Sequence, residues 1–301
     1  MAALRIGTCS WKYPSWAGIV YSAEKNINYL AEYAARFDTV EIDQWFWSLH
    51  GPDSVSLPRP EVVREYAAAV PPSFRFTVKA PDSVTLTHVR RKGAAAPLVE
   101  NPHFLSPELF FRFLDSLSPM HGLLGPVMLQ FEYLNRQKMA SQRAFLDRLG
   151  DFLAAMPRDI PLGIESRNPN YLSRPYFDLL AAHGVAHVFL QGYYMPPVWD
   201  VAARPGGMPA VLPRMAPEPP AARPPAHVIR LHGPDRAGIE ERSGGAWNRI
   251  VEARDDELPR VLALVRDFLA RDIDVFLNVN NHYEGSAPLS IVKIRSLLGM
   301  A

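Results

Sequence analysis

Cysteine is almost absent. Cys9 is the single thiol in 301 residues, so no internal disulfide can form and the fold does not depend on an oxidising compartment. An excess of one charge is also lacking: 32 basic residues face 31 acidic ones, a formal net charge of +1. That balance lacks the broad basic footprint of a general nucleic-acid binder. Long apolar runs are missing. None approaches the roughly 20 residues of a membrane span, and Met1 to Ile6 leads straight into Gly7-Thr8-Cys9-Ser10 without the apolar stretch of a signal peptide. The expected location is the cytoplasm, with no membrane partner. A G-x-G-x-x-G turn, a P-loop, an H-E-x-x-H pair and a close His-x-His pair are all missing as well.

What remains is a chain with 48% hydrophobic residues and 29 prolines, enough apolar material for one large barrel or two ordinary domains. Eight short apolar runs recur along it: Leu4–Cys9, Thr39–Ile42, Phe74–Val78, Val127–Phe131, Leu162–Glu165, Ala186–Leu190, Val228–Leu231 and Ile273–Val279. Between most of them lie segments with helical spacing, such as Pro107–Leu117 with Leu109, Phe110, Phe113 and Leu114 on one side. Strands alternating with helices predict parallel pairing through crossovers. Eight units in 301 residues predict a single TIM-type (β/α)8 barrel over 1–301, with an open doubly wound sheet as the alternative. The segments 82–104 and 193–226 read as long loops. The second is an irregular Pro-rich insertion before the seventh strand, with the pairs Pro219-Pro220 and Pro224-Pro225.

Sites in such barrels form at the C-terminal ends of the strands. Nearly every run here carries a polar residue at that end: Glu41, Lys79, Gln130, Glu165 with Arg167, Gln191, Arg230 with His232, and Asn278 with Asn280. Burying such groups is costly unless they are paired or in use. Glu165 and Arg167 lie two apart, so an extended chain aims them the same way. They form either a ligand-facing pair or an ion pair bracing a loop. Lys79, Arg167 and Arg230 tilt the ends toward cations, and arginine forks suit carboxylate or phosphate oxygens. Glu41 and Glu165 are candidates for general acid and base. Lys79 is an alternative site for Schiff-base chemistry. A divalent metal would have to draw on Glu165, His232 and Glu41 or Asn280. No metal ligand is assigned, and no cofactor is required.

The segments Ile6–Trp16, Phe37–Ile42 and Phe74–Pro81 resemble the domain of unknown function 72 family, also called YecE-like. Gly125–Gln130, Gly163–Arg167, Arg230–Gly233 and Asn280–Gly285 continue the likeness over nearly the whole chain. The resemblance implies a TIM-type barrel and a site, but no reaction. By position it marks Trp11, Tyr13, Glu41, Lys79, Gln130, Glu165, Arg167, Arg230, His232 and Asn280. The chain departs from the pattern at Asp43-Gln44-Trp45, at Phe131–Asn135 and at Pro288 and Ser290. These departures alter the pocket around the second, fourth and eighth strand ends.

Together these readings predict an enzyme, of the hydrolase, lyase or isomerase kind, acting on a small anionic sugar-like metabolite, phosphorylated or carboxylated. The assigned catalytic residues are Glu41, Lys79, Glu165 and His232. Trp11, Tyr13, Gln130, Arg167, Arg230 and Asn280 are assigned to substrate binding. The alternatives are a non-catalytic ligand-binding protein using the same pocket, and a nucleic-acid-processing enzyme using Arg90, Arg91 and Lys92 for backbone contacts.

Overall fold

The computed structural model describes residues 2–22, 25–90, 93, 97–208 and 225–300. Eight parallel strands close into a barrel, each hydrogen-bonded to its neighbours in chain order. They are β1 (Leu4–Cys9), β2 (Thr39–Ile42), β3 (Arg75–Lys79), β4 (Leu124–Phe131), β5 (Leu162–Ser166), β6 (Ala186–Gly192), β7 (His227–Gly233) and β8 (Val275–Val279). Closure brings β8 back against β1, with Leu4 level with Val275 and Thr8 with Val279. This is the expected TIM-type architecture. The strands read as near-continuous apolar runs because both faces are covered, one by the ring of helices and one by the barrel interior.

The ring is α1 (Tyr29–Ala34), α2 (Pro60–Ala68), α3 (Pro107–Ser116), α4 (Gln142–Ala154), α5 (Arg174–His183), α6 (Val198–Ala202), α7 (Leu258–Ala270) and α8 (Ala287–Leu298). Local chemistry starts and stops them. Asn28, Ser106 and Ser141 accept backbone N–H groups of the first turns of α1, α3 and α4. Gly184 and Gly299 end α5 and α8 in the left-handed conformation. Phe110, Phe113, Phe131, Phe145 and Phe152 are fully or almost fully buried in the layer between strands and helices. Met128, Val188, Val228 and Phe276 form a separate small cluster that fills the barrel interior below the strand ends.

Four features depart from the expected loops. Leu49–Gly51 and Ser54–Val55 pair as a short antiparallel hairpin. Asp82–Thr85 is a helical turn, and Asp82 is 1% exposed. Its Oδ1 accepts from the backbone N–H groups of Ser48 and Leu49, both at 2.9 Å, and from Ser48 Oγ at 3.1 Å. A polar stretch that looks like solvent-facing loop is therefore a buried brace. Arg236–Ser243 is helical, started by Asp235, which accepts from Gly238 N–H. In the Pro-rich insertion α6 forms because Gln191 Oε1 accepts the N–H of Val198 at 3.0 Å. Residues 209–224, with Pro219, Pro220 and Pro224, lie outside the described residues, as do Arg91 and Lys92. Among the described residues no helix is long and apolar enough to cross a membrane.

Gly7 shows how tightly β1 meets β2: a Cβ built there would stand 2.0 Å from the Thr39 carbonyl oxygen. Neither backbone can retreat, because Tyr33 Oη donates to that same oxygen and receives the Thr8 N–H. Gly7→Ala should therefore destabilise the chain by about 1–3 kcal/mol or more. Gly122→Ala, with no atom within 4 Å of its added carbon, should stay within about 0.5 kcal/mol of the parent. Urea denaturation of the two variants tests the difference.

Candidate active site

The register of the barrel sorts the strand-end residues into two levels. Cys9 is level with Glu41, Glu41 with Thr77, and Gln130 with Glu165. Arg230 is level with Leu190 on one side and Asn278 on the other. Side-chain hydrogen bonds from Arg230 to Glu41, Gln130 and Glu165 join these groups into the lower level. One step of two residues further along each strand stand Asp43, Lys79, Glu132, Arg167, His232 and Asn280, all lining a cavity of about 450 Å³ at the C-terminal mouth. The pleat repeats every two residues, so six of the eight strands send one polar residue into the floor and the next into the cavity.

The floor is held by Arg230, which is 2% exposed. Its Nε donates to Glu41 Oε2 at 2.8 Å and its Nη2 to Glu41 Oε1 at 2.6 Å, a two-pronged pair. Its Nη1 donates to Glu165 Oε2 and, at 3.2 Å, to Gln130 Oε1. Arg167 Nε takes the other Glu165 oxygen at 2.9 Å, and its Nη2 reaches Gln130 at 3.3 Å. Asn278 Nδ2 donates to Glu41 Oε2 and to Thr77 Oγ1. Two carboxylates and two guanidiniums thus close on one another. Burial pushes the Glu165 carboxyl up, but the Arg230 and Arg167 guanidiniums outweigh it and hold it down at about 2. For Arg230 itself burial disfavours the charge, and Glu165 and Glu41 more than restore it.

Glu165 and Arg167 form an ion pair at the floor, and Arg167 also lines the cavity. The network separates the expected acid and base from the cavity. Glu41 and Glu165 are 0% and 1% exposed and lie beneath the cavity, their oxygens turned to arginine. They do not converge with His232 on one point, and no group of three or more His, Cys, Asp or Glu side chains among the described residues is arranged to hold a metal ion. Lys79, His232, Tyr13, Gln130, Arg167, Arg230 and Asn280 do line the cavity. Trp11 does not. Its ring packs edge-on against Tyr66, 5.1 Å between centroids, on the far side of its loop.

His232 is neutral. Burial, then the charges of Arg230, Arg167 and Lys79, push its pKa well below the ordinary range. Its Nε2 lies 3.8 Å from Cys9 Sγ and its Nδ1 3.1 Å from Tyr193 Oη. The Cys9 thiol, raised by burial and by Glu41, stays protonated and faces Glu41 Oε2 at 3.6 Å, so the pair lacks the thiolate of a cysteine nucleophile. Gly192 and Gly233 let β6 and β7 end in contact: a Cβ on Gly192, at φ 139°, would stand 2.4 Å from the Gly233 oxygen. Tyr193 follows in the left-handed region at φ 53°, its ring under the Arg167 guanidinium at 4.8 Å. Such backbone strain in a non-glycine residue beside a cavity marks a position held by its surroundings.

Two charged side chains in the cavity make no salt bridge and no side-chain hydrogen bond to another described residue: Lys79 and Asp43. The other charged lining residues are committed, Glu132 to Lys138, Arg90 to Asp82, and Arg236 to Glu240. Burial and then Arg230 lower the Lys79 ammonium to about 8, against the opposing pull of Glu41, Glu165 and Asp43. It rests 3.8 Å from the centroid of the Phe46 ring. Burial and then Glu41 raise the Asp43 carboxyl, with Lys79 and Arg230 opposing. Asp43 has no place among the residues the sequence marks, where it figures only as a departure from a family pattern. The legible signal is its spacing, two residues after Glu41, the same step that links Glu165 to Arg167 and Arg230 to His232.

The full-length comparisons agree on the architecture. The family model described as "Protein of unknown function DUF72" matches residues 5–301. The UPF0759 protein YecE of Escherichia coli K12 is 25% identical over 169 residues, 56% of this chain and 50% of that protein. The alignment thus spans about half the length of the curated relative. A DUF72 family protein from Thermotoga maritima MSB8 superposes with a TM-score of 0.63 at 21% identity, covering 99% of each chain. One from Enterococcus faecalis V583 also gives 0.63, at 19% identity, over 99% of this chain and 96% of the other. At these identities the structures establish the barrel alone.

Removing Arg230 would strand two buried carboxylates. Arg230→Met should cost about 3–5 kcal/mol, and adding Glu41→Gln with Glu165→Gln should recover much of it, as read by chemical denaturation. The Glu165 carboxyl is depressed on folding, so its contribution is complete above its ordinary value of 4.5 and is lost as pH falls through about 2. Stability of the parent should fall across that window, and Glu165→Gln should flatten that part of the curve.

Proposed function

The chain belongs to the DUF72 family of proteins of unknown function, and on that footing we propose that it is an enzyme acting on a small anionic metabolite at the barrel mouth by proton transfer through Lys79 and Asp43. The observation that carries this reading is the pair itself. In a cavity whose other charges are committed to partners, these two are free, and burial moves both toward neutrality from opposite directions. A lysine near 8 can exchange a proton at physiological pH, which an ordinary exposed lysine does poorly. A carboxyl raised beside it serves as the complementary acid.

The cationic edge supplies the anion site. Arg167 and Arg236 line the cavity with donors left over from their ion pairs, Asn280 adds an amide, and Lys79 is a positive charge without a counter-ion in contact. A phosphate or carboxylate placed there compensates Lys79 and raises its pKa, so binding and proton affinity are linked. Glu41, Glu165 and Arg230 act from beneath as a rigid charged floor. His232 is a positioning residue that holds Tyr193. Phosphorylated or carboxylated sugar-like compounds suit this combination, and isomerisation, elimination or hydrolysis by acid–base chemistry suits the pair.

The test is conversion of a metabolite pool. Incubated with phosphorylated and carboxylated metabolites and followed by mass spectrometry, the parent should deplete one of them. Lys79→Met and Asp43→Asn should each lower that turnover at least about a hundredfold. The parent's rate should show an ionisation near pH 8 that Lys79→Arg removes. Saturable binding with no product after long incubation would replace this reading with that of a binding protein.

A further inference from the structure

Four aromatic side chains are exposed among the described residues: Trp47 at 61%, Tyr194 at 59%, Tyr133 at 52% and Phe111 at 39%. The first three all line the one mouth cavity. Trp47 follows β2, Tyr133 follows β4 and Tyr194 follows β6, so Trp47 and Tyr194 stand half a barrel apart. Other large rings are fully buried, with Trp16, Tyr33, Tyr176 and Tyr283 all below 2%. Leaving three rings in water forfeits apolar burial, and their concentration at one opening is what an exposed patch with a use looks like.

The rings are also held. The Arg90 guanidinium sits 4.3 Å from the Trp47 ring centroid, and Arg90 is itself anchored by buried Asp82 at 3.2 Å. Tyr133 and Tyr194 meet edge to face at 6.3 Å and 89°, an arrangement that fixes both rings. Next to Tyr194 in the chain, the Tyr193 ring lies 4.8 Å from the Arg167 guanidinium, so a cation and aromatic faces meet on that side of the mouth.

We propose that the ligand of this mouth carries a planar ring next to its anionic group, as a nucleoside phosphate does, with the Tyr133–Tyr194 pair, on the Arg167 side of the mouth, as the ring's subsite. The inference rests on the anion-binding reading above and names the substrate class within it. The phosphate occupies the Lys79–Arg167 side, and the base reaches outward to the rim. Two sources share this chemistry, a free nucleotide and one residue of a single-stranded nucleic acid.

Calorimetric titration of the intact chain with inorganic phosphate, ribose 5-phosphate, adenosine monophosphate and a short single-stranded oligonucleotide tests it. Stacking should make one base-bearing ligand bind about ten- to a hundredfold tighter than ribose 5-phosphate. Tighter binding of the monophosphate points to a free nucleotide, and tighter binding of the oligonucleotide to a strand. That advantage should fall to within about threefold of one in Tyr133→Ala and in Tyr194→Ala. Tyr194→Phe should keep most of it, and Phe111→Ala, on α3, should leave it unchanged. Melting curves confirm that the variants fold. If ribose 5-phosphate binds as tightly as both base-bearing ligands, or Tyr194→Ala weakens all ligands equally, the ring subsite is wrong and the anion site stands. If even inorganic phosphate fails to bind, the anion reading falls and takes this inference with it.

Discussion

A single buried guanidinium ties the mouth of this barrel together. Arg230 reaches from β7 across the interior to Glu41 on β2 and Glu165 on β5, three strands far apart around the ring. Charges this deep are tolerated only when paired and hydrogen-bonded, so each strand end is constrained by the other two. Arg167, Gln130, Asn278 and Thr77 add further hydrogen bonds to the network, and Asn278 Oδ1 is left without a partner among the described residues. The apolar layer of Met128, Val188, Val228 and Phe276 below keeps water out from beneath.

The floor occupies Glu41 and Glu165 with arginine partners. Carboxylates saturated by arginine are poor proton carriers at neutral pH, as the value of about 2 for Glu165 illustrates. The field of Arg230 extends upward, however. Beside the larger effect of burial, it lowers the Lys79 ammonium and opposes the rise of the Asp43 carboxyl, while Glu41 raises both. The buried network therefore tunes two free groups that it does not touch. The aromatic rim stands on the next level out, so the mouth is graded from sealed ion pairs, through free titratable groups, to exposed rings.

Much of the fold is legible in the chain. All eight strands appear as apolar runs with turn residues behind them, because a strand buried on both faces has little freedom in composition. The helices of the ring show in their spacing and caps. The short elements do not. The hairpin at Leu49–Val55, the turn at Asp82–Thr85 and the stub at Val198–Ala202 depend on distant partners, such as the Ser48 and Leu49 amides for Asp82 and the Gln191 side chain for Val198. A local reading of propensity sees only polar or proline-rich sequence there.

For the site, the sequence by itself determined which residue types end the strands, and the two-residue step that pairs Glu41 with Asp43, Glu165 with Arg167 and Arg230 with His232. Period-two geometry follows from the extended backbone, wherever the strand lies. Which member of each pair is sealed and which is free was decided only by the tertiary structure. That depends on the closure of the barrel, which brings Glu41, Glu165 and Arg230 into hydrogen-bond contact across the interior. Coulomb attraction then holds them on one another and leaves Lys79 and Asp43 to face the cavity. No spacing along the chain encodes that contact, because it joins residues 65 and 189 positions apart.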